Sequence, residues 1–380
     1  MHFRTCCFSA ATAILQCMRK YTVIIVGAGI AGSAAALFLA RAGHRVTLLE
    51  RASALRTSGS PVDLRGDALD AVRSLGLEAE LRKADTGVRR LRLVDTGGRG
   101  ITDVRLRRPD SPDIELSRTA LGRVLADRAA ELAELRLGSG PTAITADPGG
   151  VEVELADGRT LTADLLIGAD GQHSTVRRLL WRPEDATERP VGLTIATVPA
   201  GPVDDPATLL MHNRPGVSLS VHPAGGSAVA AFILRTGRVQ PPATPDDRAE
   251  LLARRYADMG WRAPELLARV RDSDDVYYDT VSRVRTTRWS RATVTLLGDA
   301  ASSITILGEG SSMAVTGART LSAALDAGAD LPTALDAYER THRPVVERHQ
   351  RGARLGASLL VPATSLGPGV RNAAAHWAPR

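Results

Sequence analysis

The stretch YTVIIVGAGIAG, residues 21–32, sets an apolar β-branched run against three glycines. Tyr21 to Val26 is continuous enough for a strand buried on both faces. An alanine-rich helix follows to about Ala42, where Gly43 stops it, and His44 to Leu49 reads as the next strand. Glu50 stands at its carboxyl end, 18 residues past Gly32. The three glycines serve different mechanical ends. Gly27 permits the tight turn, Gly29 lets backbone approach a pyrophosphate, and Gly32 lets helix pack on strand. The helix N-terminus offers free N–H groups to phosphates. Glu50 can accept hydrogen bonds from ribose hydroxyls, each charge-assisted bond contributing about 1.5–3 kcal/mol. The pattern predicts an ADP-containing dinucleotide and leaves NAD(P) and FAD both open.

A second site lies much later, in LLGDAASSITILGEGSSMAV, residues 296–315. Ala292 to Leu297 reads as another buried strand, ended by Gly298-Asp299. Ligands of open α/β sheets gather beyond the carboxyl ends of strands, which puts Asp299 beside whatever extends from the first site. A carboxylate there suits the hydroxyls of a ribityl chain. Gly308-Glu-Gly310 then opens a helix from about Ser311 to Ala327. Its positive end can face the pyrimidine edge of an isoalloxazine, a dipole contribution of about 0.3–1 kcal/mol. One strand end for ADP and another for ribityl and ring point to non-covalent FAD. Ile30, Ala31, Arg51 and Ser311, which flank these motifs, join the expected cofactor-binding set.

A third segment completes the pattern. Val151 to Leu155 and Thr160 to Ile167 are expected to form a hairpin around Asp157-Gly158, leading into GADGQHSTVR, residues 168–177. With GAGIAG plus Glu50, GADGxxSxVR and LLGDAA in this order, the chain resembles the single-component FAD-dependent aromatic hydroxylases, which have the para-hydroxybenzoate hydroxylase fold. It is most similar to the small tetracycline-inactivating monooxygenases, to which LRTSGSPVDLRG and ELSRTALGRVL also look alike. The likeness runs from about Arg19 to Leu360 and is thin from Val191 to Arg285. It implies that Asp63 and Arg118 contact FAD, that Arg56 helps receive NADPH, and that Asp170 lies where flavin and nicotinamide paths meet. The residues themselves agree in part. Arg118 precedes an amphipathic helix (Leu121, Val124, Leu125, Ala129) and can clamp a pyrophosphate oxygen bidentately. Asp170 has an alternative role, capping the helix that follows it. The sequence departs from the family after GDAA. Where relatives carry His, a proline loop and GxGxN, this chain has Ser302, the proline-free SITIL and Gly308-Glu309-Gly310-Ser311-Ser312. The departure bears on oxygen transfer more than on cofactor binding.

Between the motifs, Val191–Val198, Leu209–His212, Val217–His222 and Val229–Leu234 read as short strands of a mostly antiparallel sheet. Two helical segments (Pro245–Asp258 and Pro264–Arg271) and a strand at Val276–Val284 follow. Such a sheet can wall a substrate pocket, with Met211, Ser220, His222 and Phe232 as candidate lining residues. The fold expected is α/β: a Rossmann-like FAD-binding domain, a mostly antiparallel substrate domain, and C-terminal bracing helices broken at Pro344. Residues 18–75, 101–180 and 286–330 are assigned to the FAD-binding domain, and 76–100 and 181–285 to the substrate domain. Residues 331–380 form the C-terminal helices and tail, and 1–17 are expected to be a disordered extension.

Composition narrows the function classes. The net charge of +6 invites nucleic acid or membrane, yet all but two of the 48 basic residues are arginines scattered through the chain, as a G·C-rich coding bias produces. No nucleic-acid partner is expected. No apolar run reaches the roughly 18 residues of a membrane span. All three cysteines (Cys6, Cys7, Cys17) precede Met18, which argues against disulfides, cysteine metal sites and cysteinyl flavin. A cytoplasmic monomer or weak homodimer is expected. There is no second GxGxxG, no suitably placed lysine for a tryptophan-type halogenase, no hydrolase triad and no metal cluster. The function expected is a monooxygenase that consumes NADPH or NADH and dioxygen. It would hydroxylate or epoxidise an aromatic or polyketide-like molecule through a flavin C4a-(hydro)peroxide, with no protein group named as general base. A flavin dehydrogenase or oxidase, or a catalytically silent flavin-binding protein, are the alternatives.

Overall fold

Thr22–Val26 lies at the middle of a six-stranded sheet in the computed structural model. The structure describes residues 19–55, 61–237, 242, 244–303 and 309–363, with backbone alone at 309 and 352–359. Residues 1–17, Arg56 and Gly308 therefore lie outside the described residues. Thr22–Val26 is flanked by Arg45–Leu49 and Leu165–Gly168, both parallel to it, so the strand order reverses there. Glu134–Arg136 and Val294–Leu296 extend the parallel array on either side, and Ser290–Arg291 closes one edge antiparallel. The central strands are buried along almost their whole length, which is why their sequences are continuous apolar runs. Helices pack against them, and so does the three-stranded sheet of Pro141–Asp147, Gly150–Leu155 and Thr160–Ala163, which brings Val151, Val153 and Leu155 into the same core.

An eight-stranded sheet forms the second layer. Its order runs Ser302–Ser303, Tyr277–Thr286, Ala186–Pro199, Ser227–Arg235, Val217–Ala224, Thr208–Arg214, Arg90–Val94, Gly100–Arg105. All neighbours are antiparallel except Thr208–Arg214 with Arg90–Val94. The helices Pro245–Tyr256 and Ala263–Asp272 cover one face and share a core with it, including Leu219, Phe232, Leu252, Tyr256 and Leu266. On the opposite face Leu193 and Ile233 pack with Val361.

Several boundaries differ from the sequence reading. Thr160–Ile167 is not one hairpin arm: Thr160–Ala163 pairs with Gly150–Leu155 in a three-stranded sheet, and Leu165–Gly168 joins the six-stranded one. The chain switches at Asp164, whose Oδ2 accepts from the Thr22 N–H at 2.7 Å. Gly100–Arg105 belongs to the eight-stranded sheet, although the sequence suggests that cofactor-binding chain resumes at 101. Leu77 and Leu81, around the helix Glu78–Lys83, pack in the core of the six-stranded sheet, although the sequence suggests that the substrate domain begins at 76. Pro344 does not break the C-terminal helix, which runs from Leu331 to Leu360. Side chains N-terminal to the proline hold it to the end of Tyr277–Thr286 and the turn after it: Glu339 accepts from Trp289 N–H at 2.8 Å, and Arg343 donates to the Thr286 carbonyl at 3.0 Å. Tertiary contacts outweigh the single backbone bond a proline removes.

Candidate functional site

Three glycines divide the work of the first turn. Gly27 has φ of 101°, donates to the Leu49 carbonyl at 2.7 Å, and a β-carbon on it would lie 2.7 Å from the Ala169 carbonyl oxygen. A β-carbon on Gly32 would lie 1.9 Å from the Gly27 oxygen, so helix and turn touch there. On Gly29 the same β-carbon meets nothing within 4 Å, leaving bare backbone facing open space. Gly29 caps the helix Ile30–Arg41 with no side-chain hydrogen bond, so the N-terminal N–H groups around Ile30 and Ala31 are free for a phosphate. Glu50 is braced beside them: its Oε2 accepts from Ala28 N–H and its Oε1 from Ala52 N–H, both at 3.0 Å. Arg51 next to it is exposed.

The second strand end converges on the first. Gly298, at φ 62°, packs so closely that a β-carbon there would lie 2.9 Å from the Ala31 methyl. The following residue is Asp299. Burial pushes its carboxyl pKa up and Asp279 adds to this, while the Arg118 guanidinium pulls the other way. Among the described residues nothing donates a hydrogen bond to that carboxylate, whereas the other motif carboxylates are satisfied within the chain. Arg118 is exposed at the start of the helix Arg118–Ala130, whose cap is Ser117 Oγ accepting from Ala120 N–H at 3.0 Å. Asp63, on the strand Pro61–Leu64, is paired to Arg65 at 2.9 Å, and burial raises its pKa. The Ser312 hydroxyl donates to the Asp63 carbonyl, joining that strand to the first turn of the helix Glu309–Asp326, where Gly310 and buried Ser311 also sit. An extended ligand with a pyrophosphate, a polyol and a flat ring fits this set: free helix N–H groups, bare glycine backbone, an unsatisfied carboxylate and a facing guanidinium. FAD has those parts.

Asp170 takes the capping role. Its Oδ1 accepts from the Ser174 hydroxyl at 2.5 Å, and its Oδ2 accepts from Thr175 and Val176 N–H at 2.6 and 3.2 Å. The same segment reaches the other sheet. Gln172 Nε2 donates to the Thr280 carbonyl at 3.0 Å, and the His173 ring lies 3.3 Å from Asp279 and 3.0 Å from Glu188. Those two carboxylates, Asp279 first, raise the His173 pKa to about 9. Arg177, a motif residue to which the sequence assigns no role, is buried and donates to the Ala300 carbonyl at 2.9 Å, to Gln172 and to Glu188.

The candidate wall residues separate. Met211 pairs with Ser220, and Ser220 with Ala231, so all three share the sheet face opposite the two covering helices. Phe232 points the other way: it is fully buried and meets Tyr256 edge-on, ring centroids 5.0 Å apart, which removes it from the pocket wall. His222 shares the face of Ser220, but both ring nitrogens have acceptors. Nδ1 lies 2.9 Å from the Pro223 carbonyl and Nε2 3.4 Å from Glu115. Glu115 also accepts from Thr86 at 2.5 Å; burial raises its pKa, but His222, Thr86 and Arg107 outweigh it and hold the carboxyl low. His222 is thus a bridge between sheets with no free nitrogen for a ligand.

Comparison with known proteins identifies the family. A family model described as an FAD binding domain matches residues 20–353. An uncharacterized Mycobacterium tuberculosis protein is 34% identical over 290 residues, covering 73% of this chain and 77% of that protein. The FAD-dependent monooxygenase asL6 of Sarocladium schorii is 29% identical over 321 residues, 73% of each. The crystal structure of the tetracycline destructase Tet(51) superposes with a TM-score of 0.83 at 27% identity, covering 94% of this chain and 96% of that one. The fold is the para-hydroxybenzoate hydroxylase type. The chain belongs to the FAD binding domain family and is an FAD-dependent monooxygenase.

Proposed function

We propose that this chain uses NADPH or NADH and dioxygen to hydroxylate or epoxidise an aromatic or polyketide-like small molecule. The observation that carries this is the close approach of the two strand ends, Gly298 against Ala31, with Gly29 bare and Asp299 left without a hydrogen-bond donor among the described residues. Similarity to a tetracycline destructase and to a fungal monooxygenase supports a ring-bearing, polyketide-like substrate. When bound, FAD would supply hydride acceptance from the nicotinamide and activation of dioxygen, one oxygen atom going to the substrate and the other leaving as water. The chain's own residues bind and orient. Helix N–H groups at Ile30 and Ala31 hold the pyrophosphate, with Arg118 as a second donor. Glu50 accepts from the ribose and Asp299 from the ribityl hydroxyls; those donors favour its ionised form over the protonation that burial promotes. Asp63, Arg51, Gly310 and Ser311 complete the cofactor contacts. Arg56 is assigned to the nicotinamide phosphate, and Asp170 holds the shape of the turn between the two paths. Met211 and Ser220 line the substrate wall.

The test is purified protein reconstituted with FAD and supplied with NADPH or NADH, labelled dioxygen and a panel of phenols and fused-ring polyketides. Label in the product supports the reading. Turnover with no label identifies a dehydrogenase or oxidase, and no turnover across the panel a silent flavoprotein. Asp299→Ala should lower flavin retention at least about tenfold, or 1.4 kcal/mol, as read by equilibrium dialysis. Full occupancy in that variant refutes the role given to Asp299.

A further inference from the structure

The turn that carries Asp299 is held by side chains from three separate elements. Arg177 Nη1, on the helix Thr175–Leu180, donates to the Ala300 carbonyl at 2.9 Å. Thr286 Oγ1, at the end of Tyr277–Thr286, donates to the Ala301 carbonyl at 3.0 Å. Gln350 Nε2, on the C-terminal helix, donates to Ser302 Oγ at 2.6 Å and to the Ser303 carbonyl at 3.3 Å. Ser303 is further tied down by its own hydroxyl, which donates to the Ser282 carbonyl at 3.0 Å. Four consecutive residues after Asp299 are thus fixed through their oxygens, in a segment whose following loop has no proline to stiffen it.

Gln350 differs from the other two holders. Arg177 and Thr286 are packed among buried neighbours. Gln350 instead shares with Asp299, Ser302, Tyr338 and His342 the lining of a cavity of about 30 Å³. Ser302 and Ser303 pair with Arg285 and Val284 on one side, and on the cavity side Gln350 supplies the side-chain hydrogen bonds that hold them. The helix delivers Gln350 accurately. Glu339, Arg343, Val346 and Gln350 recur at helical spacing on one face; Arg343 is already bonded to the Thr286 carbonyl, and Glu339 to the Trp289 N–H just beyond that strand.

We propose that Gln350 is a positioning residue for Asp299, acting through Ser302 and Ser303 to hold the carboxylate in the direction the cofactor requires. The proposal rests on the flavin reading of the site. It is tested in the full chain with Gln350→Leu, which keeps volume and removes the donor. The dissociation constant for FAD, from quenching of flavin fluorescence, should rise about fivefold to tenfold, the loss expected of one or two net hydrogen bonds. In an Asp299→Ala background the same change should do nothing further, because no carboxylate is left to aim. Backbone amides of a peptide spanning 296–303 should exchange about tenfold faster in the cofactor-free protein, while the apo Tm moves by less than about 3 °C. Ser302→Ala, which removes one of the two bonds, should fall between. An equal loss of affinity in the Asp299→Ala background overturns the proposal, as does unchanged exchange at 296–303. A large fall in Tm with faster exchange throughout also overturns it, since Gln350 would then be a general brace. Wild-type protein that takes up no FAD overturns the flavin reading instead, and the exchange measurement alone then decides whether Gln350 holds the turn.

Discussion

Gly29 and Gly32 are three residues apart and answer to opposite constraints. At Gly32 a methyl would collide with the Gly27 carbonyl at 1.9 Å, so backbone must move in the protein itself. At Gly29 a methyl meets nothing within 4 Å. Gly32→Ala should therefore cost stability in the apo protein, on the order of 3 kcal/mol or more, visible as poor solubility or a lowered urea midpoint. Gly29→Ala should leave the apo Tm within about 2 °C and weaken FAD at least about tenfold. Apo stability that falls equally in both variants would sink this division of labour. His342 gives a pH signature of its own. Burial lowers its pKa to about 4, and the neutral ring lies 3.0 Å from the Met313 carbonyl against Gly317. The unfolded chain, titrating near 6.5, then binds a proton between about pH 6.5 and 4 that the native state refuses. Stability is lost as pH falls through that window, by about 3 kcal/mol at most. Urea unfolding at pH 7 and 4.5 should show this loss in wild type and a flatter profile in His342→Phe.

At the scale of elements, periodicity locates strands but does not say which face meets a ligand. Met211, Ser220 and Phe232 look alike as wall residues in the sequence. The pairing puts the first two on one face and Phe232 on the other, under the helix that carries Tyr256. Phe232→Ala should destabilise the protein by about 3–5 kcal/mol, as deletion of a buried aromatic does, and leave FAD affinity unchanged. An unchanged unfolding midpoint with an altered KM for substrate would return Phe232 to the pocket. The helix after GADG shows the reverse situation, in which motif chemistry is local. Ser174 caps it by accepting from Arg177 N–H at 2.9 Å and also donates to Asp170. Those two bonds are made within eight residues, so the segment is legible as a turn and cap before any tertiary partner is known.

At the scale of the whole molecule, the two large sheets are clasped by charge as well as by apolar contact. His173 and Gln172 leave the end of one sheet and meet Asp279, Glu188 and the Thr280 carbonyl of the other. The His173 pKa is raised to about 9, above its ordinary 6.5, so its contribution is complete below about pH 6.5 and disappears as pH rises through 9. More than half of its side chain is exposed, and solvent screening keeps the effect small. Between pH 6 and 9.5 at low salt, wild type should lose about 2 °C more in Tm than His173→Gln, and added salt should erase the difference. Identical pH profiles would remove His173 from the clasp. Among the described residues no helix is long and apolar enough to cross a membrane.

FAD as the cofactor and the two glycine turns at strand ends could be read from the chain alone because glycine turns, helix starts and strand-end carboxylates are constraints of a few neighbouring residues. Gly27, Gly29, Gly32, Glu50 and Asp299 need only correct local spacing to be recognised. The tertiary structure decided what spacing does not encode: that Phe232 faces a core, that His222 is bound at both nitrogens, and that Pro344 sits inside an unbroken helix. It also decided that Arg177, Thr286 and Gln350, more than 170 positions apart at the extremes, meet at one turn. Each of those outcomes depends on which surfaces are pressed together when the chain closes, and contact between distant segments leaves no periodic trace in either one.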